Sequence, residues 1–301
     1  MQSRTANRSD FFIPGCCPIA IRTIQGDAVM QHEGDLTDLR HSHDFAELII
    51  ITRGSGKHWI NGELYDVSAG DVFLIQGNTE HYFEERHGLS MYNIMFDDFY
   101  LKAHLRSLRS MPGFNAFFLF EPTYRRRHKF QSRLHLTPEA LFPLTRLLHQ
   151  MDAESRQQSP GFDLILLSRV LEIFVILSRE YLQVQNPMAR SLCRLGELIT
   201  QLENEYSQPW TLARIARLAA MAPSTLLPVF KDVTGHSPIE YLLHVRLSKA
   251  AERLLKTPDS IAEVASRCGF PDSNYFSRQF RKHYGCSPRQ YRSKRAQELQ
   301  R

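Results

Sequence analysis

The C-terminal third of the chain repeats itself, and this repeat limits the possible fold more than any other feature of the sequence. Residues 211–241 align with residues 260–291 at an offset of 49 and then of 50, because the second copy has one extra turn residue. Phe230 matches Phe280, and the motif Gly-x-Ser-Pro-x-x-Tyr occurs at 235–241 and again at 285–291. Coincidence over so many positions is improbable, so the sequence predicts one supersecondary unit built twice.

Each copy has the pattern of a helix-turn-helix. A short helix with a small residue at the crossing is followed by a tight turn, and Gly269 in the second copy can adopt the positive φ that such a turn requires. A second helix is expected to begin near Ser224 in the first copy and at Asp272-Ser273 in the second, where the side chains favour capping. In a helix-turn-helix, this second helix enters the major groove of DNA.

The face of each second helix opposite its apolar residues predicts the DNA contacts. Asn274 suits two-point bonding to adenine and Arg278 suits guanine, so the second copy is expected to discriminate sequence more strongly. The first copy is poorer, since Pro228 lacks a backbone donor and costs about 3 kcal/mol in a helix interior. The predicted DNA-binding residues are Ser224, Thr225, Leu227, Lys231, Ser273, Asn274, Ser277, Arg278, Arg281 and Lys282.

The charge distribution agrees with this interpretation. Residues 188–301 contain 18 Lys and Arg against 10 Asp and Glu, whereas residues 1–187 contain 19 against 22. A basic C-terminal domain on a slightly acidic body is typical of a nucleic-acid-binding domain joined to another module. The sequence has no run near the roughly 20 apolar residues of a membrane span and no signal-peptide core. Its five cysteines lack C-x-x-C spacing, so we expect a cytoplasmic protein without a disulfide framework.

The N-terminal half changes character along its length. Residues 46–96 consist of short β-branched and aromatic runs separated by turn signals, with Asn61-Gly62 as the strongest hairpin signal. They predict a small antiparallel barrel or sandwich. After Pro138, two segments have apolar residues at helical spacing, the second on more than one face. This second helix is expected either to pack against the barrel or to form a dimer, and 184–188 is the predicted linker.

The second copy of the repeat resembles a known signature. The string VASRCGFPDSNYFSRQF at 264–280, followed by Gly-x-Ser-Pro-x-x-Tyr, is similar to that of the AraC/XylS transcription regulators, over residues 190–293. The resemblance implies two helix-turn-helix units joined by a long helix, here Pro238 to Leu255, that contact two successive major-groove segments. Pro228 departs from the family, which more often has a polar or basic residue there.

The N-terminal half also resembles the family, in which this domain is often a cupin-like barrel that binds an effector and dimerises. HSHDFAELIIITRGSG at 41–56 is similar to most of the first cupin motif, and residues 70–81 resemble the second. Together with MPGFN at 111–115, these stretches most resemble the regulators of rhamnose operons.

The resemblance implies an effector pocket at His41, His43, Glu47, Trp59 and His81. We favour a metal-free pocket without cofactor, whose polar groups contact sugar hydroxyls, while Trp59 either stacks on the sugar or fills core. Two alternatives keep the same fold. In the first, a metal such as iron, manganese or nickel is bound by His41, His43, Glu47 and His81, as in enzymatic cupins. In the second, the histidines only form hydrogen bonds with neighbouring strands. A metal-dependent enzyme with a DNA-binding appendage is the least favoured hypothesis.

These observations predict an α+β chain with three regions. Residues 1–136 form an antiparallel cupin-like effector-binding barrel, residues 137–184 a helical dimerisation or packing region, and residues 185–301 an all-α domain with two helix-turn-helix units. The expected function is sequence-specific transcription regulation, with activation favoured, and no enzymatic activity. The expected partners are double-stranded DNA, a sugar such as rhamnose, RNA polymerase and a second copy of the chain, but no membrane. A non-sugar effector is the alternative.

Overall fold

The computed structural model describes residues 4–27, 36–101, 105, 107–128 and 134–298. The chain forms two compact units, residues 1–196 and 197–301. Among the described residues, no helix has both the length and the apolar character needed to cross a membrane.

The boundary between the units lies inside a helix, Pro187–Asn204, rather than at residue 185 as predicted. Gly196 ties the first part of this helix to unit 1. The side-chain amide of Asn115 donates to the Gly196 carbonyl oxygen at 3.3 Å. A Cβ at position 196 would lie 2.2 Å from the carbonyl oxygen of Pro112. A break in helical pattern at 184–188 therefore marks a helix end and not the end of the compact unit.

Unit 1 contains one sheet of eight strands within the described residues. They are β1 Arg4–Ala6, β2 Ile19–Ile24, β3 His41–His43, β4 Ala46–Ile60, β5 Glu63–Ser68, β6 Asp71–Ile75, β7 His81–Phe96 and β8 Leu134–His135. The antiparallel strands β4 and β7 pair along most of their length. The first part of β4 also pairs with β6 and its second part with β5, while β2 and β3 pair with opposite ends of β7.

Register shifts interrupt the β4–β7 ladder between Ile51 and Lys57. The turn signal at 53–56 therefore lies within one long bent strand instead of separating two short ones. Gly54 has φ +75°, and a Cβ there would lie 2.3 Å from the carbonyl oxygen of Gly88 on β7. Only glycine fits this close approach at a positive φ, and such bulges bend a strand and increase its twist. The hairpin signal at 61–62 is confirmed, since both residues have positive φ between β4 and β5.

Because of these register shifts, the alternate set of β4 side chains faces the core after them. Before them, Ile49 and Ile51 lie in the apolar core of the sheet, two residues apart. After them, His58 and Ile60 are buried, whereas Trp59 is only half-buried. Side chains alternate along a strand, so a change of register by one residue moves the whole following set to the other face.

The helices of unit 1 follow the sheet. They are α1 Asp98–Leu101, α2 Pro112–Phe114, a π-helical stretch Asn115–Phe120, α3 Glu121–His128, α4 Pro138–Gln157 and α5 Phe162–Tyr181. One face of α4 buries Leu144, Leu148 and Met151, and α4 packs against α5. Phe142 of α4 and Leu164 of α5 are 78% and 63% exposed. These two apolar side chains lie outside the core of the described unit.

Unit 2 is helical throughout its described length. It contains the end of α6 Pro187–Asn204, then α7 Leu212–Ala219, α8 Pro223–Thr234, α9 Pro238–Lys256, α10 Ile261–Arg267, α11 Ser273–Tyr284 and α12 Pro288–Glu298. The helix α9 agrees with the predicted long connection and, with 19 residues, spans about 28 Å. Its buried Leu247, Ala251 and Leu254 form one core with α10 and α11.

Candidate functional site

The helix pairs α7–α8 and α10–α11 turn in the same way. Gly269, between α10 and α11, has φ +79°, and a Cβ there would lie 2.6 Å from the carbonyl oxygen of Ser207. Its equivalent at the offset of 49 is Ala220, which ends α7 at φ +50°. The left-handed residue predicted for the second turn is thus present in both copies, although the first copy uses alanine and bears the strain of its Cβ.

The helix α11 is fixed at its start and along its inner face. The Asp272 side chain accepts a hydrogen bond from the backbone N–H of Tyr275 at 2.7 Å, as the predicted cap requires. Phe276 and Phe280 are fully buried, with ring centroids 5.4 Å apart. Because the inner face is anchored, the backbone positions of the residues on the outer face are fixed relative to the core of unit 2.

Four of the predicted contacts on α11 are exposed: Asn274, Arg278, Arg281 and Lys282. No described residue forms an ion pair with the three cationic side chains among them. Ser273 and Ser277 are half-buried. Bidentate base contacts and phosphate contacts both need exposed donors, so α11 presents the chemistry of a recognition helix.

The helix α8 presents a weaker surface. It begins at Pro223 with Ala222 in the cap position, one residue before the predicted start at Ser224, because proline is favoured in the first helical turn. Ser224, Thr225 and Lys231 are exposed, whereas Leu227 is half-buried. Pro228 is exposed inside the helix, which continues to Thr234. Pro228 cannot donate to the carbonyl four residues earlier, so α8 lacks one of its internal hydrogen bonds.

In unit 1, four buried polar side chains converge between three strands. His41 and His43 lie on β3, Glu47 on β4, and His81 pairs with His41 across the β3–β7 ladder. One ligand atom from each lies within 4.8 Å of the others. The Nε2 of His43 is 3.2 Å from the Oε2 of Glu47 and 3.2 Å from the Nε2 of His81. The Oε2 of Glu47 is 3.3 Å from the Nε2 of His81.

Backbone carbonyls determine which nitrogen of two of these histidines carries the proton. The Nδ1 of His41 lies 2.7 Å from the carbonyl oxygen of Leu39, and the Nδ1 of His43 lies 2.8 Å from that of Phe45. A carbonyl oxygen only accepts, so each Nδ1 donates and each neutral ring keeps its lone pair on Nε2.

The pKa values of the cluster diverge. Burial lowers the pKa of His43, but the hydrogen bond to Glu47 and the charge of that carboxylate outweigh burial and raise the pKa. Burial and then the charge of His41 hold the pKa of His81 well below its ordinary value. Burial does the same to His58, with the charge of Arg125 adding to the effect. His58 and His81 are therefore neutral at pH 7, each with one lone-pair nitrogen.

A cavity of about 30 Å³ lies beside the cluster. Its wall also includes Arg22, Asn93, and two residues of the N-terminal segment, Ala6 and Phe11. The Oδ1 of Asn93 is buried without a hydrogen-bond partner among the described residues. Arg8 pairs with Asp44 and Asp97, which ties the N-terminal segment to the sheet. The cavity is thus small, has both polar and apolar walls, and is bounded in part by the N-terminal segment.

A larger cavity, of about 260 Å³, lies elsewhere in unit 1. Tyr65, Gln76, Thr79 and Arg125 are among its lining residues. The Nε of Arg125 donates to Glu121 at 3.0 Å, and its Nη1 is buried without a partner among the described residues. This cavity was not expected from the sequence, since the buried position of Arg125 depends on how α3 packs on the sheet.

Comparison with known proteins covers both units. A protein-family model described as a helix-turn-helix domain matches residues 215–294, and a second family model, described as an AraC-like ligand binding domain, matches residues 31–174. The HTH-type transcriptional activator RhaS of Enterobacter sp. (strain 638) is 30% identical over 295 residues, which are 97% of this chain and 98% of that protein. The chain belongs to the AraC family.

Two further comparisons concern parts of the chain. The HTH-type transcriptional activator RhaR of Mannheimia succiniciproducens is 30% identical over 254 residues, 84% of this chain and 87% of that protein. A solved AraC-type DNA-binding transcriptional regulator from Chromobacterium violaceum is 32% identical over 36% of this chain and 97% of that one, with a TM-score of 0.34.

Membership of the AraC family confirms several predictions. The chain is a DNA-binding transcription regulator related to the rhamnose regulators, with an N-terminal ligand-binding domain rich in strands and a helical C-terminal helix-turn-helix domain. The family consists of regulators, so the expectation that the chain is not an enzyme is also confirmed.

In this AraC-family chain, Trp59 lies outside the pocket in which the sequence predicted it. Uninterrupted alternation from Glu47 would place Trp59 on the same face as that carboxylate, twelve residues earlier. The register shifts in β4 place it on the opposite face, where it stacks on Tyr82 at 5.3 Å and beneath the Arg40 guanidinium at 4.6 Å. Trp59 does not line the cavity beside the cluster.

His58 takes the inward position instead. Its Nε2 is 3.3 Å from the Nδ1 of His81, and its ring stacks on Phe83 with centroids 4.0 Å apart. Sequence reasoning missed His58 because alternation fails at the bulge. The only hint in the sequence was that a histidine precedes Trp59 within residues 57–61. Using that hint requires the register of β4 against β7, which the sequence does not give.

Proposed function

We propose that this AraC-family regulator activates transcription of carbohydrate-utilisation genes when a small sugar, such as rhamnose, binds unit 1. The observation that carries the proposal is the exposed set Asn274, Arg278, Arg281 and Lys282 on the anchored helix α11. The relatives RhaS and RhaR, both called transcriptional activators, support activation and the choice of sugar. The regulator would act in the cytoplasm, with the DNA, and would recruit RNA polymerase.

The proposed effector site is the pocket beside His41, His43, Glu47 and His81. A neutral polyol needs donors and acceptors in alternation, and the pocket supplies carboxylate, imidazole, amide and guanidinium groups. The unpartnered Oδ1 of Asn93 gains a hydrogen bond when a hydroxyl enters, which removes the free-energy cost of a buried, unsatisfied acceptor.

Effector entry requires the pocket to open. A cavity of about 30 Å³ falls far below the roughly 300 Å³ of a small-molecule site. The segment with Ala6 and Phe11 forms part of its wall, so we propose that this segment moves away when the sugar binds. A ligand shifts a conformational equilibrium only by its differential affinity for the two states. Displacement of the segment supplies such a difference.

A second copy of the chain is the proposed partner of the helical region 137–184. Phe142 on α4 and Leu164 on α5 are 78% and 63% exposed. Large exposed apolar side chains on two packed helices are typical of an association surface. Two copies would also present two pairs of recognition helices to one operator.

Two measurements test the proposal on the full chain. Thermal-shift screening against a sugar panel is expected to give a stabilisation with rhamnose or a related sugar. Footprinting upstream of the gene's own operon is expected to show a protected site. Asn93→Ala should abolish the sugar-induced shift and leave DNA affinity unchanged. Gln76→Ala, in the larger cavity, is the matched control. Loss of the shift in Gln76→Ala alone would place the effector in the larger cavity, and the absence of a protected site would refute the function.

A further inference from the structure

We propose that His236, His244 and His283 form a pH-dependent contact that holds the two helix-turn-helix units of unit 2 in the arrangement that binds an operator. His236 lies in the turn between α8 and α9, His244 lies on α9, and His283 lies in the last turn of α11. The proposal rests on DNA binding by unit 2, which membership of the AraC family establishes, and not on the identity of the effector.

The three imidazole rings are in contact. The ring centroids of His236 and His244 are 4.3 Å apart and the ring planes lie at 26°, which is a stacked pair. The ring centroids of His244 and His283 are 4.8 Å apart, with the planes at 65°. His244 therefore contacts one ring from the turn that follows α8 and one ring from the end of α11.

Each outer histidine is tied to its own helix-turn-helix unit. The backbone N–H of His236 donates to the Oγ1 of Thr234 at 3.3 Å, and that hydroxyl also lies 2.8 Å from the carbonyl oxygen of the buried Phe230. The ring of His283 contacts the ring of Tyr284 at 4.6 Å, and Tyr284 packs against the core formed by α9, α10 and α11. The positions of the outer rings therefore follow the positions of α8 and α11.

Positive charge at this cluster opposes the contact. Burial, followed by the charges of His236 and His283, lowers the pKa of His244. The carboxylate of Glu240, one turn earlier on α9, counteracts this effect only in part, and the charge of Lys231 on α8 acts on the same carboxylate. A neutral His244 therefore fits the cluster better than a protonated one.

Acid should consequently weaken the contact. In the packed arrangement the pKa of His244 lies below its ordinary value of 6.5, whereas an arrangement that separates the rings returns His244 to water and to that ordinary value. The arrangement with the higher pKa binds the proton more tightly, so protonation favours separation. The contact is complete above about pH 6.5 and is lost progressively as the pH falls below it.

The contact affects DNA binding through the relative positions of α8 and α11, which both pack on α9. Successive major-groove segments on one face of B-DNA are about 34 Å apart, so both recognition helices can enter them in only one relative arrangement. Separation of the rings should therefore reduce operator affinity. Binding to random duplex depends on phosphate contacts and gains from protonated histidines. The two affinities should change in opposite directions as the pH falls.

The test measures DNA binding by the full chain from about pH 7.5 to about pH 5.5, the range in which histidine titrates, at fixed salt and with a chelator present. Affinity for the footprinted operator should fall by up to about tenfold per pH unit below 6.5 for each proton taken up, and affinity for random duplex should not fall. His244→Phe keeps an aromatic ring that cannot be protonated, so its operator affinity should not fall. His87→Gln, which removes an exposed histidine of unit 1, is the matched control and should behave as the unaltered chain does.

Nuclear magnetic resonance of the histidine ring protons gives a second measurement, without DNA. The signal of His244, assigned by its absence in His244→Phe, should titrate below 6.5, and His283→Ala should raise this pKa because a neighbouring charge is removed. The proposal is overturned if operator affinity stays constant or rises as the pH falls, if random duplex shows the same loss, or if His244→Phe retains the loss. An unchanged pKa of His244 in His283→Ala would also overturn it. Failure to find an operator by footprinting would refute the proposed function, and the resonance titration would still decide whether the contact exists.

Discussion

Replacing Arg278 by alanine should remove sequence discrimination and leave the fold intact. Arg278 is exposed on α11 and forms no ion pair with a described residue, so its loss leaves no unpaired partner inside the protein. The helix remains held by the Asp272 cap and the buried Phe276 and Phe280. The effect of the substitution should therefore appear only when DNA is bound.

The expected magnitude follows from the geometry of a bidentate contact. An arginine bound to guanine at two points contributes about 1–3 kcal/mol of discrimination. At 1.4 kcal/mol per tenfold change, operator affinity should fall by roughly 5- to 150-fold. Affinity for random duplex should fall far less, since one lost charge weakens non-specific binding only through the salt-dependent term.

Fluorescence anisotropy on the footprinted operator and on a random duplex of equal length gives both affinities at one fixed salt concentration. Ser224→Ala, at an exposed position on α8, is the matched control and should change the ratio of the two affinities little. Equal losses on operator and random DNA would mean that Arg278 contacts phosphate. An equal loss in Ser224→Ala would refute the assignment of discrimination to α11.

Three further predictions concern stability and association. Pro228→Ala restores a helical donor in α8 and should raise the free energy of unfolding of unit 2 by up to about 3 kcal/mol; a lower urea midpoint would contradict this. Gly54→Ala places a Cβ 2.3 Å from a β7 carbonyl oxygen and should destabilise unit 1 by more than about 1 kcal/mol. Gly62→Ala meets no atom within 4 Å and should lose less. Phe142→Glu and Leu164→Glu should weaken the proposed dimer in sedimentation equilibrium, and unchanged association would exclude this surface.

Local signals in the sequence predicted unit 2 well. Helical periodicity, the Asp272 cap and the glycine at 269 depend on residues close together in the chain, and the structure has each of them. The start of α8 differs by one residue, because Pro223 competes with Ser224 for the first turn. The division of the chain at 196–197 depends on contacts of Gly196 with residues far earlier, which no local signal contains.

The pocket was predictable only in part. The spacing of His41 and His43 places both on one face of a strand, and the family resemblance added Glu47 and His81. Whether Trp59 or His58 faces inward depends on the register shifts against β7, which are set by pairing between residues 27 to 40 positions apart in the chain. The carbonyls that orient the histidine rings belong to backbone whose path the sequence pattern does not determine.

The two copies of the repeat differ where their constraints differ. On the inner face, Leu226 and Phe230 of α8 correspond to Phe276 and Phe280 of α11, and all four are fully buried. On the outer face, Pro228 stands where α11 has Arg278. Packing restricts the inner residues in both copies alike, whereas only DNA restricts the outer ones. The divergence therefore predicts that α8 and α11 recognise DNA with unequal stringency, and base changes in a segment under α8 should reduce operator affinity less than equivalent changes under α11.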